Sequence, residues 1–328
     1  MDSSDIQRIF SISNSREFEQ LALEVFQFQY TNNAQYKTFC ELLGKSPSNV
    51  QNTNEIPFLP IEFFKTQKIT STQRPPEAIF ESSGTTKSNI SRHYVPDLNL
   101  YSQSFLDGFT KFYGPVEGYC VLALLPSYLE REGSSLVYMV NEFISRSKHT
   151  DSGFYLYDLK ALMQKLEQLE NQQTKTLLIG VSFALLDLAE RFSMPLKHTI
   201  IMETGGMKGR RKELIREELH GILKKAFGVS KIHSEYGMTE LLSQGYSQGD
   251  GLFKCPPWMK ISIRDTEDPL SLQNDGITGG INVIDLANVY SCSFIATQDL
   301  GRTYPNGTFE VLGRFDHSDI RGCNLMAL

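Results

Sequence analysis

The chain has 328 residues, enough for a large core and more than one subdomain. With 40% apolar and 21% charged residues it is no disordered chain, and a net charge of −6 gives no electrostatic basis for binding nucleic acid or an anionic membrane. No apolar run reaches the length of a membrane span, Met1-Asp2-Ser3-Ser4-Asp5 lacks a signal-peptide pattern, and the five scattered cysteines include no CxxC pair, so a reducing cytoplasm is the expected location.

In chain order, Phe18, Leu21, Ala22 and Val25 recur at helical spacing, and Tyr36, Phe39 and Leu43 predict a second helix. The prolines of the Pro57–Lys65 stretch oppose a continuous helix, and it reads as a tucked loop. Glu77-Ala78-Ile79-Phe80 is extended. From Tyr119 onward, strand and helix signals alternate. Tyr119–Leu125 is a buried strand ending at Pro126, and Leu159, Leu162, Met163, Leu166 and Leu169 form one helical face. Thr176–Val181 is a second apolar strand, and Phe183–Phe192 reads as helix. His198–Met202 is a third strand, ending in Gly205-Gly206; Ile215, Leu219, Ile222, Leu223 and Ala226 then mark a long helix. Such alternation predicts an α/β sheet with helical crossovers, whose ligands sit beyond the carboxyl ends of the strands. After about Trp258, short strands at Ile261–Arg264, Ile281–Asp285, Ser293–Thr297 and Phe309–Leu312 predict a small antiparallel, barrel-like subdomain. The expected division is a helical segment over 1–75, an α/β core over 76–257 and a β-rich part over 258–328, with no internal repeat.

The chemistry lies in short runs. Ser82-Ser83-Gly84-Thr85-Thr86-Lys87 combines a glycine that can turn tightly with hydroxyls and backbone N–H groups suited to phosphate oxygens. Tyr236-Gly237-Met238-Thr239-Glu240 places an aromatic ring, a hydroxyl and a carboxylate together, a set able to stack on a base, bind phosphate and hold a divalent cation. Asp299, at a strand end, can accept hydrogen bonds from ribose hydroxyls. Arg314, in Gly313-Arg314-Phe315-Asp316, supplies a guanidinium, and Gly205-Gly206 allows backbone to approach a flat base. Singly, each has an ordinary alternative: a cap for Glu240, a turn for Asp299, a surface ion pair for Arg314, a plain loop for Gly205-Gly206. His93 and His233 lack metal-ligand spacing and read as structural, Cys120 reads as inert core, and Cys255 and Cys292 carry no pattern.

In this order the runs resemble those of the acyl-adenylate-forming superfamily. Pro57-Phe58-Leu59-Pro60, Phe63-Phe64-Lys65, Gly205-Gly206-Met207-Lys208 and the ending Gly313-Arg314 through Arg321-Gly322-Cys323 are similar to the LuxE-type acyl-protein synthetase family, from about Phe18 to the C-terminus. The resemblance implies the large N-terminal-type domain of adenylate-forming enzymes, α/β sheets flanked by helices, plus a small antiparallel β subdomain. It implies a ligase and acyltransferase that uses ATP and Mg²⁺ to make acyl-AMP from a carboxylic acid, fatty acids included, and passes the acyl group to a thiol. Ser82 to Thr86 would embrace the outgoing phosphates, with Lys87 in place of the usual glycine. Thr239 and Glu240 would handle the α-phosphate and Mg²⁺, Tyr236 would stack on adenine beside Gly237, and Asp299 and Arg314 would hold the ribose. Cys323 would accept the acyl group, its thiol activated by Arg321, and an acyl-CoA-reductase-like (LuxC-type) protein is an implied partner. Phe80, Pro126, Tyr128 and Met207 are candidate linings of the acid pocket. The sequence departs from the superfamily in two ways: no Pro-Lys-Gly follows Lys87, and the chain reaches Leu328 without the small C-terminal domain and its catalytic lysine. These departures keep open a non-catalytic acyl- or nucleotide-binding member and an acyltransferase that does not use ATP.

Overall fold

The computed structural model describes residues 1, 3–82, 90–126, 133–205 and 214–315. Two units make up the chain, Met1–Thr72 with Pro257–Leu328, and Gln73–Pro256.

The first unit opens with α1 (Ser3–Phe10), α2 (Ser15–Asn32) and α3 (Ala34–Leu42). Helix α2 starts where Asn14 Oδ1 accepts from the Glu17 N–H at 3.0 Å, and it buries Phe18, Leu21, Ala22, Val25 and Phe26, the periodic face. Asn33 ends that helix and caps the next, accepting from the Tyr36 N–H at 3.0 Å; Leu43, expected in the helix, is its C-terminal cap. The Pro57–Lys65 stretch, read as a loop, holds a two-residue strand, β1 (Leu59–Pro60), and a single turn, α4 (Phe63–Thr66). Its strand exists because of a partner far along the chain, which local sequence does not disclose.

The second unit begins with an antiparallel hairpin, β2 (Ala78–Glu81) and β3 (Arg92–Val95), followed by α5 (Leu98–Tyr113). Then come β4 (Cys120–Leu124), α6 (Ser135–Arg146), β5 (Gly153–Phe154), α7 (Leu159–Asn171), β6 (Thr176–Val181), α8 (Ser182–Arg191), β7 (Thr199–Thr204), α9 (Arg216–Phe227), β8 (His233–Tyr236), β9 (Gly245–Ser247) and β10 (Phe253–Lys254). Sheet order within the unit is β10-β9-β8-β7-β6-β4-β5, parallel from β5 to β8 and antiparallel from β8 through β10. Strands β4 and β6 are buried along their whole length, which is why they read as continuous apolar runs rather than alternating ones. Helix α7 buries all five residues of its expected face. On α9 the face is narrower than expected, since Ile215 and Ile222 are exposed while Leu219 and Leu223 are buried. No helix among the described residues is long and apolar enough to cross a membrane.

The chain then returns to the first unit with β11 (Met259–Arg264), β12 (Gly279–Asp285), β13 (Phe294–Thr303) and β14 (Phe309–Arg314), an antiparallel meander. The first half of β13 pairs in parallel with β1, Leu59 opposite Ile295 and Pro60 opposite Ala296. Tyr36 stacks on Phe294 with centroids 6.0 Å apart, and Phe10 meets Trp258 edge-on at 4.9 Å, so the early helices and late strands share one core. Buried Gln29 donates to the carbonyls of Asn288 (3.1 Å) and Val289 (2.9 Å) and accepts from the Ser293 N–H at 2.9 Å. Leaving such a buried carbonyl unmet costs about 1–3 kcal/mol.

Candidate functional site

In the second unit the parallel strands deliver the expected residues to neighbouring ends. Thr204 ends β7 and is followed by Gly205, whose φ of 69° suits glycine. Strand β8, alongside it, ends at Tyr236 and releases Gly237, Met238, Thr239 and Glu240, with a turn closed by the Leu241 N–H donating to Met238 O at 3.1 Å. The Tyr236 ring is buried and meets Phe253 at 6.1 Å. Glu240 is buried and Thr239 half-buried.

Side chains rather than backbone ladders hold these loops. His93 of β3 lies with Nδ1 2.8 Å from the carbonyl oxygen of Thr239; a carbonyl can only accept, so Nδ1 carries the proton and donates. His93, read as structural, therefore fixes the turn that bears Glu240. Ser182 Oγ reaches both Glu203 Oε2 (2.8 Å) and the carbonyl of Gly205 (2.5 Å). Burial opposes the charge on Glu203, but His220 and Arg216 stand 3.6 Å away, and with Ser182 they hold its carboxyl below the usual range. Thr204 Oγ1 donates to Glu235 of β8. His233 is pushed down to about 4, by burial first and then by Lys231, so it is a neutral imidazole beside the Tyr113 hydroxyl and not a charged site residue.

Ser82 stands at the stem of its loop, where its N–H donates to Ser91 O at 3.1 Å and its Oγ accepts from the Ser91 N–H at 3.0 Å. Ser83, Gly84, Thr85, Thr86, Lys87, Gly206 and Cys323 lie outside the described residues, as do Tyr128, Met207 and Arg321. Phe80 is buried among Tyr101 (5.4 Å) and Tyr138 (5.7 Å), and Pro126 is buried.

In the first unit Asp299 and Arg314 are register partners across β13 and β14, with Arg314 Nε donating to Asp299 Oδ1 at 3.2 Å. The Arg314 side chain is 76% exposed and that of Asp299 10%, so the guanidinium screens the carboxylate from outside. Sequence reasoning missed Arg264. Its buried guanidinium donates to Ile281 O (2.8 Å), Asn282 Oδ1 (3.0 Å) and Thr297 O (2.5 Å), and it lies 5.5 Å from the Phe315 ring centre. The glycine opposite leaves room for it: a Cβ at Gly280 would come within 2.5 Å of Arg264 Cζ. The Gly279-Gly280 pair facing a strand-terminal arginine was the available signal.

Among the described residues, no group of His, Cys, Asp or Glu is placed as a protein cage for a metal. Mg²⁺ needs no such cage, since it takes one or two carboxylates together with substrate phosphates. Burial pushes the Cys40 and Cys120 thiols up to about 12 and about 11 and raises that of Cys292, which makes all three poor nucleophiles.

The sequence profile of the acyl-protein synthetase LuxE family matches residues 9–327. The long-chain-fatty-acid–luciferin-component ligase of Vibrio harveyi is 23% identical over 332 residues, covering 93% of this chain and 86% of that protein. Among solved structures, ATP-bound MatB from Rhodopseudomonas palustris superposes with a TM-score of 0.54 at 20% identity, over 72% of this chain and 48% of MatB, so the chain spans about half the length of that protein. A 2-hydroxyisobutyryl-CoA ligase in complex with 2-HIB-AMP gives a TM-score of 0.65 at 13% identity, over 93% of this chain and 69% of its own. The fold is that of these adenylate-forming enzymes.

Proposed function

Because the chain belongs to the acyl-protein synthetase LuxE family, we propose that it activates a carboxylic acid of the fatty-acid class with ATP and passes the acyl group to a thiol. In the first step a carboxylate oxygen bonds to the α-phosphorus and pyrophosphate leaves. In the second a thiolate bonds to the acyl carbon, AMP leaves, and a thioester forms. Beyond family membership, one observation carries this reading: the Gly205 and Tyr236–Glu240 loops leave adjacent ends of parallel strands, where α/β sheets bind ligands. The name of the Vibrio harveyi ligase supports a long-chain acid as substrate.

The residues divide the work. Hydroxyls and N–H groups of Ser82 to Thr86, with Lys87, meet the charge that develops on the leaving phosphates. Thr239 binds the α-phosphate, and Glu240 would hold Mg²⁺, which neutralises phosphate charge when bound. Tyr236 offers its ring to adenine, with Gly205, Gly206 and Gly237 leaving space. Asp299 accepts from ribose hydroxyls and Arg314 supports it. A cytoplasmic location suits a reaction that consumes ATP and a reduced thiol.

Pyrophosphate exchange against a panel of fatty and aromatic acids tests the reading. Acid-dependent exchange is expected; none with any acid, together with no calorimetric binding of ATP or AMP, overturns it. Cys323 is the proposed first acceptor, ahead of a thiol on an acyl-CoA-reductase-like partner. Intact-mass spectrometry after incubation with ATP, Mg²⁺ and acid should find a hydroxylamine-labile acyl adduct on wild type and none on Cys323→Ser. An adduct mapped to Cys255, or none on wild type despite active exchange, moves the acceptor elsewhere.

A further inference from the structure

Glu235 has no role in the reading above, yet it sits at the root of the Tyr236–Glu240 loop. In the ladder it is opposite Thr204 of β7 and Tyr246 of β9, so the three side chains share one face of the sheet. Its Oε2 accepts from Thr204 Oγ1. Its Oε1 lies directly against Gly237: a Cβ there would collide with it, and would also come within 3.3 Å of Gln244 Cγ. The carboxyl, the glycine and Gln244 are therefore in one packed cluster.

That cluster contains a buried polar atom with no hydrogen-bond partner among the described residues, Gln244 Oε1. An amide oxygen only accepts, so Gln244 Oε1 calls for a donor, and an ionised carboxylate cannot supply one. A neutral carboxyl can. The electrostatic surroundings agree. Among the described residues no lysine, arginine or histidine pairs with Glu235. The groups that bear on it are the Glu203 carboxylate from β7 and the Tyr246 phenol from β9; the Tyr113 and Tyr101 phenols of α5 in turn bear on Tyr246. Arg216 and His220 of α9 are engaged with Glu203. Burial, offset in part by the Thr204 hydrogen bond and aided by the smaller effect of the Glu203 charge, pushes the Glu235 carboxyl up to about 7.

We propose that Glu235 is a positioning residue that works in its protonated form, donating from Oε1 toward Gln244 while Oε2 accepts from Thr204, and so fixes the turn at Gly237 from which Tyr236, Thr239 and Glu240 face the nucleotide. This rests on reading that loop as nucleotide-binding. Ionisation removes the only donor the carboxyl has and sets a second negative charge beside Glu203. Nucleotide affinity should then be level below neutrality and fall about tenfold per pH unit above about 7. The proton is held more tightly in the folded chain than in the unfolded one. The stability this contributes is full at acid pH and is lost as the pH rises through about 7.

Two measurements on the full chain test this. Infrared difference spectra of wild type against Glu235→Gln, across pH, should show a protonated-carboxyl band that titrates near neutrality. AMP calorimetry should show the alkaline loss in wild type, its disappearance in Glu235→Gln, whose amide donates and accepts at the same places, and weak binding at every pH in Glu235→Ala. Absence of the carboxyl band at neutral pH overturns the proposal. So does a folded Glu235→Gln that keeps the alkaline loss, or that binds poorly throughout. If neither wild type nor Glu235→Gln binds AMP at any pH, the nucleotide reading of the loop is what fails, and the positioning role falls with it even where the infrared band is present.

Discussion

The two units hold their site residues by opposite means. In the first, Asp299 and Arg314 meet because they are register partners, so backbone pairing of β13 with β14 sets their spacing. In the second, Gly205 and Gly237–Glu240 stand just past the strand ends, where no ladder constrains them, and His93 and Ser182 hold them instead. Strand register tolerates side-chain change. A loop held by side chains loses its geometry when one of them is altered.

The sharpest break should come at Glu240. Glu240→Gln keeps shape but removes charge, and it should lower acid-dependent pyrophosphate exchange by at least about hundredfold, within the range of lost electrostatic stabilisation. AMP affinity, which needs no cation, should stay nearly unchanged by calorimetry. Exchange at the wild-type rate would make Glu240 a structural carboxylate. Next in size, Asp299→Ala should weaken AMP and ATP alike by about 1.5–3 kcal/mol, since charge-assisted bonds to the ribose are lost. Arg314→Ala should cost at most about 1 kcal/mol, because its guanidinium is mostly solvated. Equal losses at both positions would mean that the ion pair, not the carboxylate alone, binds the sugar. The smallest effect should be that of His93→Phe, which removes the hydrogen bond to Thr239 O but keeps a ring. Exchange kinetics should show a rise of about twofold to tenfold in KM for ATP, as expected for one neutral hydrogen bond. No change in KM would show that the turn stands without His93.

The apolar framework was legible because β4 and β6 are buried on both faces and α7 keeps strict helical spacing. The short functional runs were legible because the glycines, hydroxyls and charges are consecutive. Helix α5 was not: Tyr101, Phe105 and Phe109 repeat every fourth position, but Ser102, Ser104, Gly108 and Thr110 lower its propensity. Strand β8 reads His-Ser-Glu-Tyr, and a buried polar strand has no apolar signature; its pairing with β7 and β9 is what makes it one. Glu235 was missed for the same reason. Its environment consists of Thr204, Gln244 and Tyr246, and the strand partners Thr204 and Tyr246 become its neighbours only through strand register.

Synthesis of the chain gives the shared core of the early helices and late strands a cost in time. Gln29 waits for Asn288, made 259 positions later, and until then Phe26 of α2 lacks Phe294, the ring it meets at 6.2 Å. At about 5–20 residues per second, that interval is roughly tens of seconds. Residues Gln73–Pro256 emerge during it. A nascent chain of this protein therefore carries an amphipathic helix whose apolar face is only partly covered through most of its translation.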